Sequence, residues 1–337
     1  PQRHRRSGPA RSGGEIEEAR RFHRHPISEG TREGRIFQTA PTEKLSDVDS
    51  LAFKQVDVFT QKPFFGNPVA VVFGAEKLSN GDMQRIAAWT NLSETTFVLP
   101  PSSAGADYRL RIFTPKQELP FAGHPTIGSA HAVLESGMAT PRDGRLRQEC
   151  LAGIIELEIE NTAGGDKIFF RVPRATISTL EQTRAQRLLA ALGIGAAAPS
   201  PLRVDVGVVW LVGDVGEAET LGRITPDLNE IRKLSAETQA AGVTVFGRAQ
   251  ETSTRLHVRS FAPILGVDED PVCGSANASI AAYLAHTGLV REIGSDYLAR
   301  QGMALGRAGE IAVRIGNEAI QIGGYAVTCV DGKLRID

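Results

Sequence analysis

A stretch near the middle of the chain comes back near its end. Residues 113–137 read FTPKQELPFAGHPTIGSAHAVLESG, and residues 261–288 read FAPILGVDEDPVCGSANASIAAYLAHTG. Both open on Phe-X-Pro and carry a Glu before a Pro. Both then place a small residue and Gly ahead of a polar residue, and run on as an alanine-rich apolar segment that stops at Gly. Pro120-Phe121-Ala122-Gly123-His124 falls on Pro271-Val272-Cys273-Gly274-Ser275, with three extra residues before this core in the second copy. Self-similarity of this kind means one folding unit used twice. Each copy reads as a strand, a tight turn and the N-terminus of a buried helix. Two such N-termini aimed at one cleft would form a strong anion site, because each offers free backbone N–H groups and a positive dipole end.

The rest of the chain is rich in strands. AFKQVDVFT at 52–60 alternates with a period of two, and VAVVF at 69–73 is a buried strand. QKPFFGNP between them is turn chemistry. Ser79-Asn80-Gly81-Asp82 can cap a helix over MQRIAAWTNL. SETTFVLPP and ADYRLRIFTP return to strand, and IIELEIE with KIFFRVP read as a hairpin. LEQTRAQRLLAALG is an amphipathic helix and TPDLNEIRKLSAETQAAG a capped helix with Pro near its start; VTVFGRA and TRLHVRSFAP are strands leading into the second repeat. This pattern implies an α+β fold of two pseudo-symmetric domains, each a mostly antiparallel sheet or barrel around a central helix, rather than a Rossmann alternation.

The totals exclude several functions. There are 38 Lys and Arg against 39 Asp and Glu, a net charge of −1, which gives no electrostatic case for nucleic acid. No stretch approaches the roughly 20 apolar residues of a spanning helix. Cys150, Cys273 and Cys329 fit no zinc spacing and no disulfide framework, so a reducing cytoplasm is the expected compartment. His4, His23 and His25 fall in residues 1–50, which mix basic and acidic charge with few apolar residues and read as a disordered extension. No nucleotide-binding glycine loop, nucleophile elbow or metal-ligand cluster appears, so neither cofactor nor metal is expected.

DVFTQKPFFGNPVAVV, NLSETTFV, RIFTPKQELPFAGHPT and DEDPVCGSA together resemble the phenazine-biosynthesis PhzF-like family, which is related to diaminopimelate epimerase and proline racemase. The resemblance covers about residues 53–337. It implies two domains, 51–172 plus 325–337 and 173–324, with the site in the cleft between them and the last strand returning to the first domain. It also implies a cofactor-independent isomerase of a small carboxylate-bearing substrate, working as a homodimer.

The resemblance implies roles residue by residue. Glu94, otherwise a turn carboxylate, is the proton shuttle; a closed apolar cleft would raise its pKa toward neutrality. Phe97, Phe121 and Trp89 are candidates for that lining. His124, otherwise a structural partner, holds substrate and stabilises developing charge. Asp270 assists positioning or proton relay; read from residues alone it opens a turn. Ser275 binds the substrate carboxylate with the adjacent backbone, or simply caps the helix. Gly123 and Gly274 belong to the two binding turns, and Gly274 lets a ligand approach the backbone. Asn67, otherwise a turn residue, is a further binding residue. Cys273 matches one of the two catalytic thiols of the racemase relatives, but Ala122 stands at the other position, so two-thiol racemisation is excluded. Epimerisation by Glu94 with Cys273, and a non-catalytic binding or scaffold protein of the same fold, are the alternatives. Gly306-Arg307-Ala308-Gly309 departs from the family's Gly-Arg-Pro-Ser, which bears on substrate rather than fold.

Overall fold

The alternating segments become strands, and the two alanine-rich runs become helices that the strands enclose. The computed structural model describes residues 50–195, 199–251 and 253–336. The expectation for residues 1–50 lies outside these, except at Ser50, which opens the first strand. The first half contains β1 (Ser50–Val58), β2 (Asn67–Phe73), α1 (Asn80–Thr90), β3 (Thr95–Leu99), β4 (Tyr108–Phe113), β5 (Glu118–Leu119), α2 (Gly123–Glu135), β6 (Arg145–Cys150), β7 (Gly153–Thr162) and β8 (Gly165–Arg171). The second contains β9 (Thr176–Thr179), α3 (Gln182–Ala191), β10 (Leu202–Asp205), β11 (Val209–Glu217), α4 (Ala218–Leu221), α5 (Leu228–Thr238), β12 (Gly242–Arg248), β13 (Thr254–Ala262), β14 (Val267–Asp270), α6 (Gly274–Thr287), α7 (Val290–Ile293), β15 (Asp296–Gln301), β16 (Gly309–Ile315) and β17 (Ile320–Gly324). The chain ends with β18 (Ala326–Arg335).

The duplication extends far beyond the motif that reveals it. One ladder runs β18-β1-β2-β3-β4-β6-β7-β8. The other runs β9-β10-β11-β12-β13-β15-β16-β17. In both, successive pairings are antiparallel, antiparallel, parallel, antiparallel, parallel, antiparallel, antiparallel. The far ends of the ladders, β8 and β17, pair antiparallel and join them. The fold is α+β, two equivalent ladders each around a central helix, as the sequence pattern implies.

Each repeat helix lies in its half as the central rod. Ile127, Ala130, Ala132 and Val133 of α2, and Ala276, Ile280, Ala281 and Leu284 of α6, are fully buried. Burying one Ile or Leu stabilises the fold by about 1.5–3 kcal/mol. Both helices run into a left-handed glycine, Gly137 or Gly288, where the lack of a Cβ allows the reversal. A buried glutamine on the strand after each helix repeats the symmetry. Gln148 donates to Thr126 Oγ1 (3.0 Å), and Gln301 accepts from Asn277 Nδ2 (2.9 Å). Thr126 and Asn277 each stand three residues after the first helical glycine.

The expected caps form where the sequence places them. Ser79 and Asp82 make a reciprocal capping box at α1, and Asp227 caps α5. One strand has no sequence signal: β6, RLRQEC, has too few apolar residues to show an alternation, and its pairing with β4 and β7 supplies the strand. Among the described residues, no helix is long and apolar enough to cross a membrane, and no cluster of His, Cys, Asp or Glu could hold a metal ion.

Two glycines of the central helices differ in the room around them, and this yields a paired prediction. A Cβ at Gly128 of α2 would lie 2.5 Å from Val69 Cγ1 and 2.8 Å from Val58 Cγ2. A Cβ at Gly274 of α6 would meet Phe59 at 3.5 Å, an ordinary contact. Gly128→Ala should therefore lose about 1–2 kcal/mol in urea unfolding despite the better helix former, while Gly274→Ala should lose none. Equal losses at the two positions would contradict the packing described.

Candidate active site

The chain after α1 turns sharply at Asn91, which is left-handed at φ 54°, and delivers Glu94 just ahead of β3. The Glu94 carbonyl accepts from the Ala70 amide, tying the turn to β2. His124 is the second residue of α2, after Ala122 as the cap residue and Gly123 as the first helical residue. These placements bring Glu94 Oε2 to 3.3 Å from His124 Nε2, with side chains 15 % and 10 % exposed. Neither atom is satisfied by a well-directed hydrogen bond among the described residues.

Burial sets the protonation states. It pushes the Glu94 carboxyl up to about 7, with the Ser93 hydroxyl pulling partly back. It pushes the His124 ring down to about 4, against the opposing pull of Asp270, the Pro68 carbonyl and Asp57. Near neutrality the imidazole is therefore uncharged, while Glu94 is close to equally divided between acid and carboxylate. Asp270, at the end of β14, is raised by burial and by the nearby Glu94 charge; His124, the Val272 N–H and Cys273 act against the rise.

The second glycine turn is tied to the first half through Asn67. Its Nδ2 donates to Asp270 Oδ1 and to the Val272 carbonyl, both at 3.0 Å. Asp270 Oδ1 also accepts from the Val272 amide (3.1 Å). Gln301 grips the same turn: its Nε2 donates to the Asp270 carbonyl (2.9 Å), and its Oε1 accepts from the Cys273 amide (3.3 Å). Glu94, His124, Asp270 and Asn67 thus come together, and the N-terminus of α6 starts beside them. Neither Ala122 nor Cys273 caps its helix with a side chain.

Several residues behave differently from their sequence reading. Ser275 is not the helix cap; Cys273 holds that position, and Ser275 Oγ accepts from Trp210 Nε1 at 3.0 Å. A Cβ at Gly274 would point at the buried Phe59 and Ile322, so close backbone approach does not explain that glycine. Gly123 is required by packing, since its Cβ would come within 2.7 Å of Phe170. Both Asn67 amide hydrogens are committed to the protein. Trp89 does not line a cleft: it is 74 % exposed. Phe97 packs edge-on to Phe113 in the small core beneath α1, and Phe121 packs edge-on to Phe170.

Four further residues position the site, two of them, Trp210 and Gln301, outside any motif. Trp210 and Gln301 act across long sequence separations. Asp57, buried in β1, accepts from the Gly66 amide (3.0 Å) and so holds the turn that presents Asn67. Arg307 donates to the Phe64 carbonyl (2.9 Å) in the same loop, which gives the Gly-Arg-Ala-Gly stretch a structural part.

Residues 56–332 match the family described as phenazine biosynthesis-like protein, PhzC-PhzF. The chain belongs to that family. It is 41 % identical over 292 residues to a Schizosaccharomyces pombe protein named antisense-enhancing sequence 1, covering 84 % of this chain and 98 % of the relative. It is 34 % identical over 293 residues to the trans-2,3-dihydro-3-hydroxyanthranilate isomerase of Pseudomonas aeruginosa, covering 82 % and 97 %. A solved PhzF-family structure from Bacillus anthracis superimposes with a TM-score of 0.76 at 26 % identity, covering 86 % of this chain and all of that one. The chain is an isomerase of the PhzF family.

The displaced carboxyl pKa predicts a pH-dependent stability. A carboxyl raised from its ordinary 4.5 to about 7 binds more protons folded than unfolded across that window. Its contribution to stability is therefore lost as pH rises through it. Glu94→Gln should match wild type in urea below pH ~4.5 and exceed it by about 3 kcal/mol above pH ~7. His124 drives the opposite slope but is present in both proteins. A difference that does not change with pH would contradict the buried carboxyl.

Proposed function

We propose that this isomerase moves a hydrogen between two carbons of a small carboxylate-bearing substrate, with Glu94 as the single acid and base. The observation that carries the reading is the Glu94 carboxyl at 3.3 Å from His124 Nε2, pushed up to about 7. A group that removes a proton from carbon and returns it elsewhere must be competent in both forms at the working pH. Glu94 as carboxylate takes the proton; the C–H electron pair enters the conjugated system and shifts a double bond; Glu94 as acid then delivers the same proton to the second carbon.

The remaining residues serve that step. The substrate carboxylate sits on the uncapped N-termini of α2 and α6, with Gly123, Gly274 and Ser275 in the binding turns. The same positive helix ends stabilise the charge that develops as the proton leaves. His124, uncharged, holds the substrate beside Glu94, and Asp270 keeps the second turn in register through Asn67. The two halves, 51–172 with 325–337 and 173–324, act as two domains that close and exclude water. The Cys273 thiol is pushed well above its ordinary range by burial and by Asp270, against the opposing pull of Ser275 and the Ala276 amide. This favours one-carboxylate chemistry over epimerisation through Cys273.

The compound named in the Pseudomonas relative, trans-2,3-dihydro-3-hydroxyanthranilate, is the first substrate to assay, followed by a panel of cyclic and acyclic amino and hydroxy acids in heavy water. Glu94→Gln should lower turnover or exchange by about 10³-fold with ligand affinity kept, and Cys273→Ala should stay within about threefold of wild type. Unchanged turnover in Glu94→Gln would remove the proposal; loss in Cys273→Ala with a new solvent hydrogen at a stereocentre would replace it with epimerisation. For the active protein, kcat/KM should fall with unit slope below an apparent pKa near the Glu94 value of about 7, because the free enzyme must hold the carboxylate. A flat profile across that range would exclude Glu94 as the base.

A further inference from the structure

Trp210, on β11, is 2 % exposed and reaches across to the start of α6. Its indole Nε1–H donates to Ser275 Oγ at 3.0 Å. An indole nitrogen can only donate, so Ser275 Oγ must accept there and its own single proton must go elsewhere. A polar atom within reach of that hydroxyl is Cys273 Sγ, 3.5 Å away. Sulfur is a weak acceptor, and a hydroxyl resting on it is easily drawn to a charged oxygen. The Ser275 carbonyl is itself occupied, accepting from Ser279 Oγ at 3.1 Å.

We propose that Trp210 is a positioning residue that makes Ser275 a hydrogen-bond donor, aimed at the carboxylate oxygen of the ligand, with the Cys273 sulfur as its resting acceptor. This rests on the reading of Ser275 as a carboxylate ligand. By taking one of the two lone pairs of the hydroxyl, the indole polarises its O–H and leaves it a better donor than acceptor toward the ligand. A carboxylate oxygen, which has no proton to give, is favoured. A carboxamide NH₂ in the same place meets a hydroxyl with one lone pair already engaged, which accepts from it less well than the O–H donates to a carboxylate. Trp210 therefore acts on ligand class, carboxylate against carboxamide, through Ser275. Burial pushes the Cys273 thiol well above its ordinary range. The sulfur is accordingly neutral and does not compete with a carboxylate for the proton.

The test is a double-mutant cycle with two probes, anthranilate and anthranilamide, titrated calorimetrically into wild type, Trp210→Phe, Ser275→Ala and the double variant. Wild type should bind anthranilate about tenfold more tightly than the amide; Ser275→Ala should lose about tenfold for anthranilate and Trp210→Phe about fivefold. The double variant should bind within about twofold of Ser275→Ala, because the indole acts only through the hydroxyl. A Trp210→Phe loss that persists in full without Ser275, or no loss at all, overturns the inference. Wild-type affinity in Ser275→Ala, or no anthranilate binding by wild type, overturns the carboxylate site beneath it instead.

Should Trp210→Phe fail to fold, the nitrogen-15 indole spectrum decides. The chain has two tryptophans, and Trp89 is on the surface. Ser275→Ala should move the Trp210 resonance and leave that of Trp89. Anthranilate should move the Trp210 resonance in wild type but not in Ser275→Ala. A Trp210 resonance indifferent to both changes also overturns the inference.

Discussion

One amide nitrogen ties the glycine turn before α6 to the first half of the chain. Asn67 Nδ2 has two hydrogens, and the structure commits one to Asp270 and the other to the Val272 carbonyl, more than 200 positions along the chain by the separations of 203 and 205. Gln301 supplies the matching side-chain hydrogen bonds to the same turn from within its own half. The tie works because Asn67 is itself held. Gly66 ahead of it leaves no room for a side chain: a Cβ there would lie 2.1 Å from the Val58 carbonyl. The Gly66 amide is taken by the buried Asp57. A buried donor with both hydrogens satisfied is a strong constraint, since losing either partner leaves a desolvated polar group.

Electrostatics follow from this closure rather than from any strong charge nearby. The Glu94 carboxyl is raised and the His124 ring lowered for the same reason, removal of water from the ionised form. The opposed shifts make opposed contributions to pH-dependent stability: one falls as the carboxyl ionises, the other rises as the imidazole is freed of its proton. Both charges are disfavoured at once, which leaves a neutral imidazole beside a carboxyl near its midpoint. Such a pair can exchange a proton with a third partner without first overcoming an ion pair.

Much of this was readable in the residues. The glycine turns align in the sequence because each repeat begins its central helix at the same place, Gly123 in one and Gly274 in the other. Glu94, His124 and Asp270 were within reach because each stands in or beside a motif. Trp89 cannot line a cleft for a reason its own helix carries: Met83 and Ala87 point inward four residues apart, and Trp89 lies on the opposite face. The cap position of Cys273 was missed because Ser is the better capping residue by type, and type alone does not reveal that an indole has already claimed its oxygen. Gln148 and Gln301 show the general limit. Nothing local marks a glutamine as buried, and only the equivalence of β6 and β15 shows that each satisfies the fourth residue of its central helix.

The account stands or falls on the ionisation of one side chain. Carbon-13 labelling of the glutamate carboxyls, with Glu94→Gln to assign the signal, would follow that group directly across pH in the folded protein. Burial of the carboxyl predicts a midpoint raised to about 7. A midpoint near the ordinary 4.5 would mean that water reaches the carboxyl freely, and that the group has no special standing as a carrier of hydrogen.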